Sequence, residues 1–161
     1  MVQGNPDFTP TDFRSDRLGG SSLAHELAQA VVYTSPFLCY SGSPENYLGN
    51  PALNVLRSIP PTWDETRVLP DSEIGRTAAF ARRKRNDWFI GVVNGNDERP
   101  FRVNLGFLGQ GRFRADLLAD QSERNDAFNR TSRVVSSRDS LSFDLRRDGG
   151  FVAHFSKIPS S

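Results

Sequence analysis

"SIPPTWDETRVLP", Ser58 to Pro70, packs three prolines, a tryptophan, two adjacent carboxylates and an arginine into thirteen residues. It decides the fold because the hydrophobic period differs on its two sides. Before it, apolar residues recur at helical spacing; after it, the period is two, the mark of strands. The stretch reads as a joint between unlike structures.

Downstream, "TAAFARRKR" and "DWFIGVVNG" are β-rich runs meeting at Arg85-Asn86-Asp87, a hairpin signal. "FRVNLGFL" alternates Phe101, Val103, Leu105 and Phe107 with polar or small residues, and "GRFRADLLAD" follows the turn Gly109-Gln110-Gly111. "SRVVSS", "SLSFDL" with Leu141, Phe143 and Leu145 on one face, and "GGFVAHFS" with Phe151, Ala153 and Phe155 complete the series. About seven strands at spacings near ten residues predict an antiparallel β-sandwich. In a regular strand Trp88 and Phe89 point to opposite faces, so at most one can face outward and the inward one is core. His154 alternates with Ala153 and Phe155 and is expected on the exposed face.

Upstream, Leu23, Leu27, Val31 and Ala24, Ala28, Val32 recur at i, i+4, i+8 behind Ser21 and Ser22, which predicts an amphipathic helix with a serine N-cap. Pro36 closes the helical run. Phe37 to Tyr40 is short and wholly apolar, which predicts a strand buried on both faces, the kind found in parallel sheets. Tyr47, Leu48, Leu53, Val55, Leu56 and Ile59 predict one or two short helices, interrupted at Gly49-Asn50-Pro51. Helix, buried strand, helix is an α/β rhythm, yet a single strand makes no sheet. The opening segment, with Asn5-Pro6, Thr9-Pro10 and Gly19-Gly20, reads as a loop.

Twenty basic residues against 19 acidic ones, with arginines dispersed, give no nucleic-acid footprint. The lone Cys39 excludes an internal disulfide framework and reads as a small buried apolar residue. No apolar run approaches the ~20 residues of a membrane-spanning helix. "MVQGNPDFTPTDF" lacks the charged and apolar regions of a signal peptide. His25 and His154 have no histidine four residues away and there is no cysteine pair, so zinc has little support. Gly106, Gly109 and Gly111 mark a turn between strands, not a phosphate cradle before a helix. No GxSxG turn is present.

"PENYLGNPALNVLRSIPPTWDETRVL", "GRTAAFARRKRNDWFIGVVNG", "LGFLGQGRFRADLLAD" and "GGFVAHF" resemble the C-terminal end of glycoside hydrolase family 97, a family of α-glucosidases and α-galactosidases. "DFTPTDF" and "AHELAQAVVYTSPF" resemble segments near the close of that family's catalytic barrel. There a β-sandwich precedes a (β/α)8 barrel, and a second, smaller sandwich follows it. The resemblance therefore implies a mainly β fold: residues 1–62 as the last part of the barrel, and residues 63–161 as a C-terminal antiparallel β-sandwich. It implies an N-terminal sandwich and a catalytic barrel as partners in cis, an oligosaccharide substrate for the parent enzyme, and homo-oligomer contacts. It implies Ca2+ in the parent enzyme, no cofactor on this chain, and a periplasmic or secreted setting.

Glycoside hydrolysis needs two carboxyl groups facing each other across the bond, ~5–9.5 Å apart. The resemblance puts the family's acid, its base or nucleophile and its calcium-binding carboxylates in barrel segments upstream of those matched here, so no catalytic residue is assigned. Asp64 and Glu65, as strand neighbours, point to opposite faces and cannot flank one bond. With Trp63 and Arg67 they are expected to be structural: ion pairs to Arg67 or Arg57, and Trp63 filling the crevice between barrel and sandwich. Asp7, Glu45 and Tyr47 fall by resemblance on the barrel rim where such sites are built and are the candidate substrate contacts. The expected function is the C-terminal part of an α-glycosidase acting on α-glucosidic or α-galactosidic bonds, inactive alone, its sandwich structural or oligomeric. The alternative is a carbohydrate-binding β-sandwich that grips sugar with exposed rings.

Overall fold

The computed structural model describes Thr9 and residues 11–159. Before the joint it contains β1 (Thr11–Asp12), α1 (Leu23–Val32), β2 (Tyr40–Ser41) and α2 (Leu53–Ser58). The side chain of Ser22 caps α1, accepting from the His25 N–H at 3.0 Å. The helix ends where Tyr33 turns extended. β2 pairs in parallel with β1, Thr11 opposite Tyr40 and Asp12 opposite Ser41. The strand expected at Phe37 to Tyr40 is thus shorter and later, and Phe37 is 68% exposed. Among the described residues the ladder holds these two pairs.

After the joint come β3 (Glu65–Val68), β4 (Thr77–Lys84), β5 (Asp87–Asn94), β6 (Arg99–Asn104), β7 (Arg112–Asp120), β8 (Phe128–Ser136), β9 (Ser140–Leu145) and β10 (Gly150–Lys157). Six form one sheet in the order β3-β4-β5-β10-β7-β8, and β6 pairs with β9 in a second. All these pairings are antiparallel. The expected hairpin joins β4 to β5 through Arg85-Asn86, with Lys84 opposite Asp87. β6 does not run on through Phe107. Asn104 bends its side chain back to accept from the Gly106 N–H at 2.9 Å, and a 3-10 turn carries Leu105–Leu108. Trp88, Ile90 and Val92 of β5 and Phe151, Ala153 and Phe155 of β10 pack against Phe101, Val103, Leu141 and Leu145 of the small sheet. The period-two pattern thus makes the sandwich core.

The opposite face of the six-stranded sheet is also buried. α1 lies across it, with Leu27, Ala28 and Val31 packed among Phe89, Leu118 and Val152. Trp88 and Phe89 are therefore both buried, at 4% and 1% exposure, Trp88 in the sandwich core and Phe89 under the helix that roofs the other face. Glycines permit the close seat. A Cβ on Gly91 would lie 2.7 Å from Val31 Cβ, and one on Gly150 would lie 2.6 Å from His25 Cα. Asp120 on β7 fastens the helix start, accepting from the Ser22 hydroxyl and, at 2.9 Å, from the Gly150 N–H. Burial raises the pKa of its carboxyl group, and the Ser22 bond opposes that rise. Apolar packing consequently runs unbroken from residues before Thr62 to residues after it.

Candidate functional site

At the joint the structure brings Trp63, Asp64, Glu65 and Arg67 together beside β4. Glu65 lies opposite Arg83 in the β3–β4 register. Its carboxylate accepts from Arg67 Nε at 2.7 Å and from Arg83 Nε at 3.0 Å. Asp64 accepts from the Arg85 N–H at 2.7 Å and pairs with Lys84 Nζ at 3.2 Å. These partners hold both carboxyl pKa values below their ordinary range: for Asp64 chiefly the Arg85 backbone bond, for Glu65 chiefly Arg67. Both side chains also reach Arg83, Asp64 at 3.9 Å, because Asp64 precedes the strand and the guanidinium spans the gap. Arg57 is not among their partners. The acidic pair grips the sandwich strand β4, while Trp63 leans the other way, edge-on to Phe89 at 5.3 Å in the helix-covered layer.

Of the candidate sugar contacts, Asp7 lies outside the described residues. Glu45 sits exposed on the 3-10 turn Pro44–Asn46, its carboxyl lowered chiefly by the Ser43 hydroxyl. Tyr47 turns inward, its ring 5.0 Å from Phe13 and 6.1 Å from Tyr40. Its hydroxyl reaches the carbonyls of Thr11, at 3.2 Å, and Ser41, so it bridges β1 to β2. Burial, reinforced by nearby Asp12, pushes Tyr47 up to about 12. Asp12 is clasped by Arg14, Nε to Oδ1 at 2.9 Å, which draws it down to about 2. Glu45 and Tyr47 do not converge on the Trp63 cluster.

Two further groups were not legible in the sequence. His154 is only 14% exposed in its side chain, not on an open face. It stacks on Phe89 at 4.5 Å, with Nε2 3.1 Å from Asp87 Oδ2 and Nδ1 3.3 Å from Ser58 Oγ. The residue types match a nucleophilic triad, but Ser58 donates its proton to the Val55 carbonyl at 2.6 Å, a helix-terminal bond that leaves the hydroxyl unactivated. Arg82 is buried to 3% exposure beneath the end of α1, donating to the Val32 carbonyl at 2.8 Å and to Thr34 Oγ1 at 3.0 Å. Its Nε and Nη1 have no partner among the described residues, and burial lowers its pKa to about 10. It lies over the rings of Phe80 and Trp63 at 5.3 and 5.7 Å.

Among the described residues no group of three His, Cys, Asp or Glu side chains converges as a metal site would require, and no helix is long and apolar enough to cross a membrane. The exposed large apolar side chains of the described sandwich are Val68, Ile74, Val134 and Ile158, all aliphatic. A sugar-stacking platform needs exposed rings, which this set does not supply.

Comparison with known proteins gives a consistent result. The family described as "Glycosyl-hydrolase 97 C-terminal, oligomerisation" matches residues 62–156. A probable retaining alpha-galactosidase of Streptomyces bingchenggensis is 38% identical over 154 residues, 94% of this chain and 24% of the relative. A retaining alpha-galactosidase of Bacteroides thetaiotaomicron is 29% identical over 166 residues, 96% of this chain and 24% of the relative. A glycoside hydrolase family 97 enzyme from Pseudoalteromonas sp. strain K8, solved with panose, superposes with a TM-score of 0.88 at 28% identity, covering 97% of this chain and 27% of that one. The chain spans about a quarter of the length of the curated relatives it matches.

Proposed function

This chain belongs to the glycosyl-hydrolase 97 C-terminal, oligomerisation, family, and from that premise we propose that it serves as the non-catalytic closing part of a larger α-glycosidase. In this reading the sandwich braces a catalytic barrel supplied in cis and joins copies of the enzyme. The two-residue parallel pair of β1 and β2 supports it, since parallel strands normally sit in larger sheets covered on both faces. The substrate of the whole enzyme is then an α-galactoside, as the 38% identity to a probable retaining alpha-galactosidase suggests, with α-glucosides as the second class the family resemblance allows. Calcium, where that enzyme uses it, is held by the barrel. A periplasmic or secreted setting belongs to the same proposal and rests on the resemblance.

One observation carries the non-catalytic reading. The tempting carboxylates, Asp64 and Glu65, are committed to cations and a backbone N–H, and both are shifted toward the ionised form. Neither is a protonated acid facing a base across a cleft. The purified chain should leave p-nitrophenyl α-galactoside and α-glucoside uncleaved; turnover above the blank would overturn the reading. The carbohydrate-binding alternative has the aliphatic surface against it, and titration calorimetry with melibiose and maltose should give no binding heat.

A further inference from the structure

We propose that His154 is a proton-dependent clasp across the joint: with a proton on each ring nitrogen it ties the end of α2 to β5 and β10, and losing one of them releases α2. Donors and acceptors around the ring fix this state. Nε2 lies 3.1 Å from Asp87 Oδ2, and an ionised carboxylate only accepts, so Nε2 holds a proton. Nδ1 lies 3.3 Å from Ser58 Oγ, whose single proton is already committed to the Val55 carbonyl at 2.6 Å. The hydroxyl therefore meets Nδ1 as an acceptor, and Nδ1 holds a proton too. A ring with two N–H groups is the imidazolium. His25, the other histidine of the chain, asks for only one, because its Nδ1 faces the Gly149 carbonyl at 3.1 Å.

The surroundings suit a cation. Asp116 lies opposite His154 in the β7–β10 register, so a second carboxylate shares that face. Ser58 closes α2, and the last turn of a helix is its negative end. The ring lies flat on Phe89 at 4.5 Å, and a ring face attracts positive charge. Four basic side chains stand against these. Lys84, opposite Asp87, is drawn off to Asp64 at 3.2 Å. Arg85 borders the groove beside Asp87, Arg114 lies opposite Ser156, and Arg57 is exposed on α2. That groove, of about 460 Å³, reaches Ser58, Asp87 and Phe89 and gives a departing proton a route to water. Asp87 keeps the proton on Nε2, so the one that leaves is on Nδ1. Nδ1 then faces Ser58 acceptor to acceptor unless the hydroxyl turns away from Val55, and either way the end of α2 loses a bond. The clasp is complete while the ring is charged and Asp87 ionised, and it is lost as pH rises through deprotonation of the ring.

Nitrogen NMR of the histidine rings and hydrogen exchange, both on the whole chain, test this between about pH 5.5 and about pH 8.5, which brackets the usual charge change of histidine. Where His25 is losing its charge, His154 should still show two protonated nitrogens. The Leu56 amide donates to the Ala52 carbonyl within α2, and its protection factor should fall roughly tenfold across that range while amides of β5 keep theirs. Asp87→Asn, at a half-exposed position, should remove most of that fall and show an unprotonated Nδ1 at a pH where wild type has none. An unprotonated nitrogen in wild-type His154 while His25 is still charged refutes the clasp. So does Leu56 protection that ignores pH, or a fall that Asp87→Asn leaves intact.

Discussion

Substituting Gly150 by alanine tests whether α1 and the sheet form one body. The new Cβ would lie 2.6 Å from His25 Cα, 2.7 Å from His25 N and 2.9 Å from Ala24 C, all backbone atoms of the first helical turn. Backbone cannot rotate aside, so α1 must lift by about 1 Å to restore ordinary contact, loosening Leu27 and Val31 against the sheet. Overpacking of this kind costs about 1–3 kcal/mol. Alanine also removes unfolded-state entropy, a gain of about 0.4–1 kcal/mol. The expected net loss is therefore about 1–2 kcal/mol. Gly106→Ala is the matched control, because its Cβ meets only Asn104 Oδ1, at 3.4 Å, and it should be neutral or slightly stabilising. Urea unfolding reads both. With an m-value of about 1–3 kcal/mol/M, the Gly150→Ala midpoint should fall by roughly 0.5–1 M with m unchanged. A Gly150→Ala protein within about 0.5 kcal/mol of Gly106→Ala would show that the helix does not press on the sheet.

Asp12, drawn from 3.8 to about 2 by Arg14, contributes stability that is complete above its ordinary pKa and is lost as pH falls through the folded value. Asp12→Asn should thus cost about 1 kcal/mol at pH 7 after solvent screening; a gap to wild type that failed to shrink between pH 4 and pH 2 would refute this. Tyr47→Phe removes the bridge between β1 and β2 and should cost about 1 kcal/mol, read as a lowered melting temperature, whereas a residue reserved for sugar would leave melting unchanged. Arg82→Ala should cost about 2–4 kcal/mol through a cavity under Trp63 and Phe80, and Arg82→Met should recover more than half; equal losses would mean that its bonds to Val32 and Thr34 matter more than its packing. In hydrogen exchange, the amides from Leu27 to Val32 should be protected as well as those of β5 and β10, while Tyr40 and Ser41 exchange fast.

Local rules made the helix and the hairpin legible, because spacing and turn chemistry act within a few residues. What covers a face is a long-range fact. Even so, the run Trp88-Phe89-Ile90-Gly91-Val92-Val93 is apolar without alternation, the pattern of a strand buried on both sides. At Phe37 to Tyr40 the same pattern is met by a strand at Tyr40–Ser41 and an exposed Phe37. Gly91 and the Gly149-Gly150 pair were further signs, since glycine inside or entering a strand marks a close backbone approach.

The joint teaches a related point about sites. "TWDETR" and "ARRKR" are rich in opposite charges, but their match depends on Glu65 facing Arg83, a register that neither segment states alone. Once that register is known, the acidic pair is explained by its neighbours and needs no substrate. A catalytic acid of a glycosidase needs surroundings that keep it protonated, such as an apolar wall or a second carboxylate. Three basic residues in succession on the adjoining strand and turn, Arg83, Lys84 and Arg85, are the opposite environment. The density of polar residues that first suggests chemistry here is spent on ion pairs and a backbone bond that fasten Asp64 and Glu65 to β4 and its turn.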